Sequence, residues 1–273
     1  MISIKRETRK ENSNLRIQVL VATMNQTDHS LLEKMNIQTD AIVGNQCDRN
    51  EIENFEWNGH NIKYLNFAER GVGLNRNNAL MRADADVCLF ADDDVVYYDG
   101  YAEKIEEAFE EKPDADVIIF NFKTSRDGEK VFDAVTKTRK VGKRGVTAYG
   151  ASVIAFRTIK IKYKNIAFHR MFGGGTEFSC GEDTIFLQDC VKKGLCVYTD
   201  ATTLGTINHG ESTWFHGYTD KFFIDKGILY KYVFGRMSGP FALYHVVKHR
   251  KKYATIGVRK AYGLMMEGIR KKL

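Results

Sequence analysis

The strongest constraint in this chain is an apolar run, Val87-Cys88-Leu89-Phe90-Ala91, that ends directly on Asp92-Asp93-Asp94. Such a run reads as a buried strand, being too short for a free-standing helix. The carboxylates after it are electrostatically awkward. Two like charges about 4 Å apart repel by roughly 1 kcal/mol in water and roughly 4 at an effective dielectric near 20. A hard divalent cation such as Mg²⁺ or Mn²⁺ relieves that repulsion through oxygen ligands. If the strand stays extended through the triplet, Asp92 and Asp94 share one face and Asp93 takes the other. A solvated acidic turn is the plain alternative, because Asp often ends a strand.

The rest of the chain permits an enzyme. Its 273 residues, 43% of them hydrophobic, suit one large α/β domain or a domain with an appendage. Two prolines leave no Pro-rich linker. The five cysteines are odd in number and form no CxxC pair, which favours reduced thiols in a cytoplasmic setting over a disulfide framework or zinc site. Residues 1–14 are a polar segment too charged for a signal peptide. No stretch approaches the roughly 18 apolar residues of a membrane span. The expectation is a soluble protein, at most peripheral to a membrane.

The net charge of +6 is unevenly placed. Residues 248–273 carry nine Lys or Arg against the single Glu267, so the body is nearly neutral. Val258, Tyr262, Met265, Met266, Ile269 and Leu273 recur there at near-helical spacing. A basic amphipathic helix of this kind suits an anionic membrane surface at the inner face of a plasma membrane. The competing reading docks the apolar stripe on the core, and Gly257, Gly263 and Gly268 weaken any helix. Nucleic acid is not expected, since the body has no basic motif.

Strand and helix signals alternate along the first half. Strands are expected at Arg16–Ala22, 41–44, 62–67 and 117–120. Helices are expected from an Asp28 cap to Met35, over 74–82, and from Tyr101 to Glu111 before Pro113. That alternation predicts an open, largely parallel sheet, with ligands outside the carboxyl ends of its strands. The loops after Ala22, Gly44 and Ala91 would lie there. Further on, a strand is expected at 151–156. Gly173-Gly174-Gly175 leads to Gly181-Glu182-Asp183, which opens an apolar helix ending at Gly194. Two acids at a helix N-terminus complement its dipole for about 0.3–1 kcal/mol each. A triple-glycine loop just before them suggests more than capping. A strand at 195–198 and another before Asn208-His209-Gly210 follow. The aromatic run 214–234 reads as packing.

These motifs together resemble the family 2 glycosyltransferases, of the bacterial cell-surface polysaccharide type, over roughly Arg16 to His209. Gly71-Val72-Gly73-Leu74-Asn75-Arg76-Asn77 is similar to the family's glycine-containing approach to an Arg-Asn pair, Asp92-Asp93-Asp94 to its DxD metal motif, and Gly181-Glu182-Asp183 to its acidic pair on the acceptor side. The first loop, Ala22-Thr23-Met24-Asn25, lacks the family's usual Pro and aromatic residue. The second, Asn45-Gln46-Cys47-Asp48, lacks its Asp-Asp-Gly-Ser style.

The resemblance implies a GT-A fold, a Rossmann-like nucleotide-diphospho-sugar transferase with a mixed, mostly parallel sheet flanked by helices. It implies a catalytic domain at 15–212 and an aromatic, basic helical extension at 213–273. The implied reaction moves a sugar with inversion from a nucleotide sugar, such as a UDP-sugar, to a glycan or lipid-linked hydroxyl. Asp92, Asp94 and His209 would hold Mn²⁺ or Mg²⁺. Thr23, Asn25, Asp48, Arg76, Asp92 and Asp93 would contact the nucleotide, Arg76 on its phosphates or base. Asp183 would be the general base with Glu182 in reserve, and the 173–175 loop would close over bound donor. A nucleotidyltransferase or phosphate-ester hydrolase also uses metal-binding carboxylates, although no G-x-x-x-x-G-K-[ST] loop is present. A non-catalytic nucleotide- or carbohydrate-binding protein could share the fold.

Overall fold

The computed structural model describes residues 15–126, 131–143, 145–209 and 217–271. The first strand, β1 (Ile17–Met24), is buried along nearly its whole length, as a strand covered on both faces must be. A short helix, α1 (Leu31–Lys34), leads to β2 (Asp40–Gln46), then to β3 (Glu51–Trp57) and β4 (His60–Phe67). After α2 (Val72–Arg82) comes β5 (Val87–Asp92), the apolar run with the first acid of the triplet. Next are β6 (Val95–Tyr97), α3 (Tyr101–Glu111), β7 (Val117–Arg126), β8 (Phe132–Asp133), β9 (Arg139–Val141) and β10 (Ile154–Arg157). The chain continues through α4 (Thr158–Tyr163), α5 (Glu182–Lys192) and β11 (Val197–His209) to α6 (Asp220–Phe234), α7 (Ser238–Lys248) and α8 (Val258–Arg270).

All the strands join one sheet, whose main path runs β3-β4-β2-β1-β5-β10-β7-β11-β6. Within it β4, β2, β1, β5, β7 and β11 point the same way, while β3, β10 and β6 run against them. The sheet is therefore mixed, with its co-directional strands in the majority. Its register aligns Ala22 with both Gly44 and Asp92, which sets the loops after β1, β2 and β5 side by side at the carboxyl edge.

The structure departs from the sequence expectations at several places in the fold, and β6, β8, β9 and α4 are further elements that the sequence did not suggest. Asp28 caps no helix: it accepts hydrogen bonds from the Ser30 amide and hydroxyl in a turn, and α1 spans four residues. Strand β3 was not anticipated. It is half exposed and rich in Glu, a charged edge strand, joined to β4 by Asn58-Gly59 with φ of 49° and 81°, as tight hairpin turns require. The segments around 195–198 and 205–208 are one strand, β11, which stays paired with β7 through register shifts at 200–206 and also pairs with β6 at 205–207. At 151–156 the first three residues form a 3₁₀ turn before β10 begins.

The C-terminal helices form their own apolar cluster around Phe223, Ala242, Val246, Ala261 and Met265. Helix α8 docks on α6 through two glycines. A Cβ on Gly227 would run into the Met265 carbonyl, and one on Gly268 into the Ile224 carbonyl. Gly268 is thus a crossing point, and the buried Ala261 and Met265 face α6 and not a bilayer. Tyr218, Phe222, Phe223, Tyr230 and Phe234 pack in ring-to-ring contact, as expected of the aromatic run, whose first members, Trp214 and Phe215, lie outside the described residues. No helix among the described residues is long and apolar enough to cross a membrane.

Candidate active site

Three segments far apart in sequence meet beyond the carboxyl edge. Strand β5 ends at Asp92, so Asp93 and Asp94 lie in a turn before β6 and do not continue the extended alternation. Asp92 and Asp93 consequently take separate side-chain partners, and Asp94 is held through its backbone. Asp92 Oδ1 accepts from Arg76 Nη2 at 2.6 Å and Asp92 Oδ2 from the Ser152 hydroxyl at 2.7 Å. Asp93 accepts from the Thr23 hydroxyl at 2.6 Å, and Thr23 in turn accepts from the Gln26 amide. The Asp94 carbonyl accepts from the Asn208 backbone N–H, which draws the end of β11 against the triplet. Burial and the charges of Asp92 and Asp94 push the Asp93 carboxyl up, opposed by the Thr23 hydrogen bond.

Arg76 is the hinge of the site. It is 5% exposed on α2. Its Nη1 donates to Glu182 at 3.0 Å, while Nη2 holds Asp92 and the guanidinium lies over the Phe168 ring. A buried cation is tolerated only when paired and hydrogen-bonded, and Arg76 is paired twice. A planar fork suits two carboxylates arriving from different elements. Asp92 is therefore engaged on both oxygens, and Glu182 is an ion-pair partner in this arrangement.

Asp183 lies next to Glu182 at the start of α5 and has no place in the Arg76 bridge. Its Oδ1 accepts the Thr184 amide at 2.6 Å. Burial and the charge of Glu182 push its carboxyl up to about 7, against the pull of the Thr184 hydrogen bond and Arg76. The helix begins here because Gly181, with φ of 113°, makes a turn that other residues rarely adopt, and because Leu229 of α6 fills the space where its Cβ would stand. Helix α6 holds the approach as well. Buried Asp225 accepts from the Ser179 amide and hydroxyl, both at 3.0 Å, and from Lys221.

The loop at 173–175 is tied down. Gly174 accepts the Val72 amide, the Gly173 amide donates to Phe178, and the Thr176 hydroxyl donates to Gly173. In this arrangement it fastens the start of α2 to the segment before α5.

Of the nucleotide candidates, Thr23, Asp92 and Asp93 come together, and Asn25 and Asp48 are exposed on the neighbouring loops. The side chain of His209 lies outside the described residues; its backbone ends β11 beside the triplet turn. Residues not singled out from sequence join the same edge. Ser152 reaches Asp92 from the segment before β10. His29, Arg49, Glu53 and Tyr64 help line a cavity of about 340 Å³ beyond β1 and β2. Asn45, a neighbour of these loops, is fixed by Gln26 and Asn66. A lone Ser or His carries no spacing signal, so only the fold could reveal these.

An open sheet with a carboxylate turn beyond its central strand and a second acidic pair at a facing helix start defines the GT-A class of transferase fold. The Glycosyl transferase family 2 profile matches residues 23–175, more than half of the chain. The chain belongs to that family and is a glycosyltransferase. Among solved structures, residues 1–349 of S. aureus TarS in complex with UDP-GlcNAc superpose with a TM-score of 0.60 at 17% identity, over 93% of this chain and 82% of that one. The same TarS segment in complex with UDP gives 0.56 at 18% identity, over 94% and 81%. At such identity the likeness is one of fold. No curated protein matches the chain.

Proposed function

We propose that the chain transfers a sugar, with inversion, from a nucleoside-diphosphate donor to a hydroxyl of a glycan or lipid-linked acceptor, in the assembly of a cell-surface polysaccharide. The observation that carries this reading is Asp183, a carboxyl pushed up to about 7 and held beside the acidic turn by the Arg76 bridge. A general base is most useful when its pKa lies near the working pH. Asp183 takes the acceptor hydroxyl proton as that oxygen attacks the anomeric carbon. The bond from that carbon to the diphosphate oxygen breaks, and the nucleoside diphosphate leaves with the electron pair. No covalent enzyme intermediate is needed, and one base suffices.

Asp93 and Asp94 are the residues that would hold a divalent cation. Their fit lies in the chemistry of the donor set, hard oxygens crowded so that burial and the charges of its neighbours push Asp93 up. Among the described residues no three His, Cys, Asp or Glu are grouped to hold a metal by themselves. A Mg²⁺ ion is often carried on one or two carboxylates and the donor's own phosphates. When bound it neutralises charge developing on the leaving diphosphate. Thr23 fixes Asp93, and the exposed Asn25 and Asp48 stand where a nucleoside would lie, with the 340 Å³ cavity beside them as its base pocket.

The TarS segment was solved with UDP-GlcNAc and UDP, so UDP-sugars head the donor panel. The test is thermal shift and donor turnover across nucleotide sugars, with and without Mn²⁺. Stabilisation by one donor that needs Mn²⁺ and vanishes in Asp94→Ala is expected. A folded protein that responds to no donor, or releases pyrophosphate in place of a nucleoside diphosphate, would overturn the proposal.

A further inference from the structure

Helix α7 is apolar on both of its sides. Ser238, Ala242 and Val246 are buried on the inner side, the latter two within the C-terminal apolar cluster. On the outer side Met237, Leu243, Tyr244 and Val247 are 55%, 46%, 62% and 44% exposed, with exposed Pro240 among them. At 3.6 residues per turn Pro240, Leu243, Tyr244 and Val247 fall within one arc of the helix, and Met237 just precedes it. A helix apolar all round belongs in buried surroundings, yet this arc is open to solvent.

The sequence around it is strongly cationic. From Lys226 to Met266 the sequence contains nine Lys or Arg and no Asp or Glu. Arg236 precedes the helix, and Lys248, Arg250, Lys251 and Lys252 follow the arc, all exposed. The Lys248 ammonium stands 5.7 Å over the Tyr244 ring. Exposed aliphatic and aromatic side chains flanked by Lys and Arg match the interface of an anionic bilayer, where the apolar side chains enter the acyl boundary and the cations meet headgroup phosphates.

We propose that the outer face of α7, with the cations at 248–252, seats the protein on an anionic lipid surface. Two other occupants fit less well. Nucleic acid would meet the cations but leaves Leu243, Val247 and Met237 without a role. A second copy on the same face would bring like charges together. The lipid-facing element is thus α7, since α8 spends its apolar stripe on α6. The proposal stands on surface composition and is independent of the catalytic reading.

The experiment is co-sedimentation of the full chain with phosphatidylcholine vesicles, with and without phosphatidylglycerol. Binding at least about tenfold stronger to the anionic vesicles is expected, falling with added salt. Leu243→Asp with Val247→Asp should lower it by about tenfold or more while the melting temperature holds; Tyr244→Ser serves if the double variant does not fold. Lys251→Glu with Lys252→Glu should lower it as well. Salt-sensitive binding that ignores Leu243→Asp and Val247→Asp would mark a general polyanion contact and overturn the proposal. So would a dimer broken by those substitutions in a protein that binds no vesicles.

Discussion

Asp92-Asp93-Asp94 ends a buried strand and Glu182-Asp183 begins a helix, and the two acidic sets differ in how their charge is held. In the triplet, Asp92 and Asp93 have separate side-chain partners. Asp92 has a guanidinium and a hydroxyl, Asp93 has the Thr23 hydroxyl, and Asp94 sits at the turn where β11 closes in. In the helical pair only Glu182 is bonded to the cation, and burial together with the charge of Glu182 raises the Asp183 carboxyl to about 7. One set is suited to hold positive charge from a ligand, the other to hold a proton. The difference comes from the protein around the acids, because the side chains are chemically alike.

The comparison breaks most sharply at Asp183. Asp183→Asn removes the proton acceptor and keeps the shape, so transfer should fall by roughly 10²–10⁴-fold. Donor binding, read by thermal shift with Mn²⁺, should persist, whereas Asp94→Ala should lose both. Unchanged turnover in Asp183→Asn would remove Asp183 from the role.

Next comes the bridge. Arg76→Met leaves Asp92 and Glu182 without their shared cation, and breaking a buried pair costs about 3–5 kcal/mol. Arg76→Lys should recover only part, because a single ammonium cannot present a fork to two carboxylates. Chemical denaturation would measure both. Equal stability of Arg76→Lys and the parent would show that the fork geometry is unimportant.

The pH dependence separates the two sets with no loss of structure. Asp183 must be unprotonated to act, so kcat/KM should rise with pH and level off above about 7. Stability should move the other way. The folded chain keeps a proton on Asp183 that the unfolded chain releases near pH 4, at the ordinary carboxylate value. The Asp183 contribution therefore declines from about pH 4 to about pH 7 and is flat beyond. Asp183→Asn should abolish that decline, while Asp94→Ala should leave it in place.

How much of this was legible depends on whether a feature is local. The apolar run 87–91, the acid triplet and the Gly181-Glu182-Asp183 helix start each lie within a few residues, and each stands where the sequence puts it. The Arg76 bridge does not, because its partners are 16 and 106 residues away. Sequence could show a guanidinium near an expected ligand site but not that Glu182 would claim it. Ser152 was hidden in the same way, in a segment that reads as strand and begins as a 3₁₀ turn. Strand β3 was missed because its exposed Glu residues mask the pattern of an edge strand. In α8 the glycines read as helix breakers, yet Gly268 provides the close approach to α6. A glycine's meaning depends on what faces it, and the facing chain is the last thing a sequence discloses.

The smallest change, Thr23→Val, tests whether the triplet is arranged residue by residue. The Thr23 hydroxyl donates to Asp93 at 2.6 Å and holds its carboxyl down against burial and the neighbouring acids. Valine keeps the volume and removes the donor, at a cost of about 1.5–3 kcal/mol for a hydrogen bond to a charged group. Asp93 should then rise further, and a carboxyl that holds its proton more tightly is a poorer cation ligand. Mn²⁺ should therefore be needed at several-fold higher concentration, with kcat at saturating metal little changed. The helical pair has no contact with Thr23, so the rise of kcat/KM toward pH 7 should stay where it was. A shift of that profile in Thr23→Val would mean that the two acidic sets titrate as one cluster, with Arg76 coupling them more than it divides them.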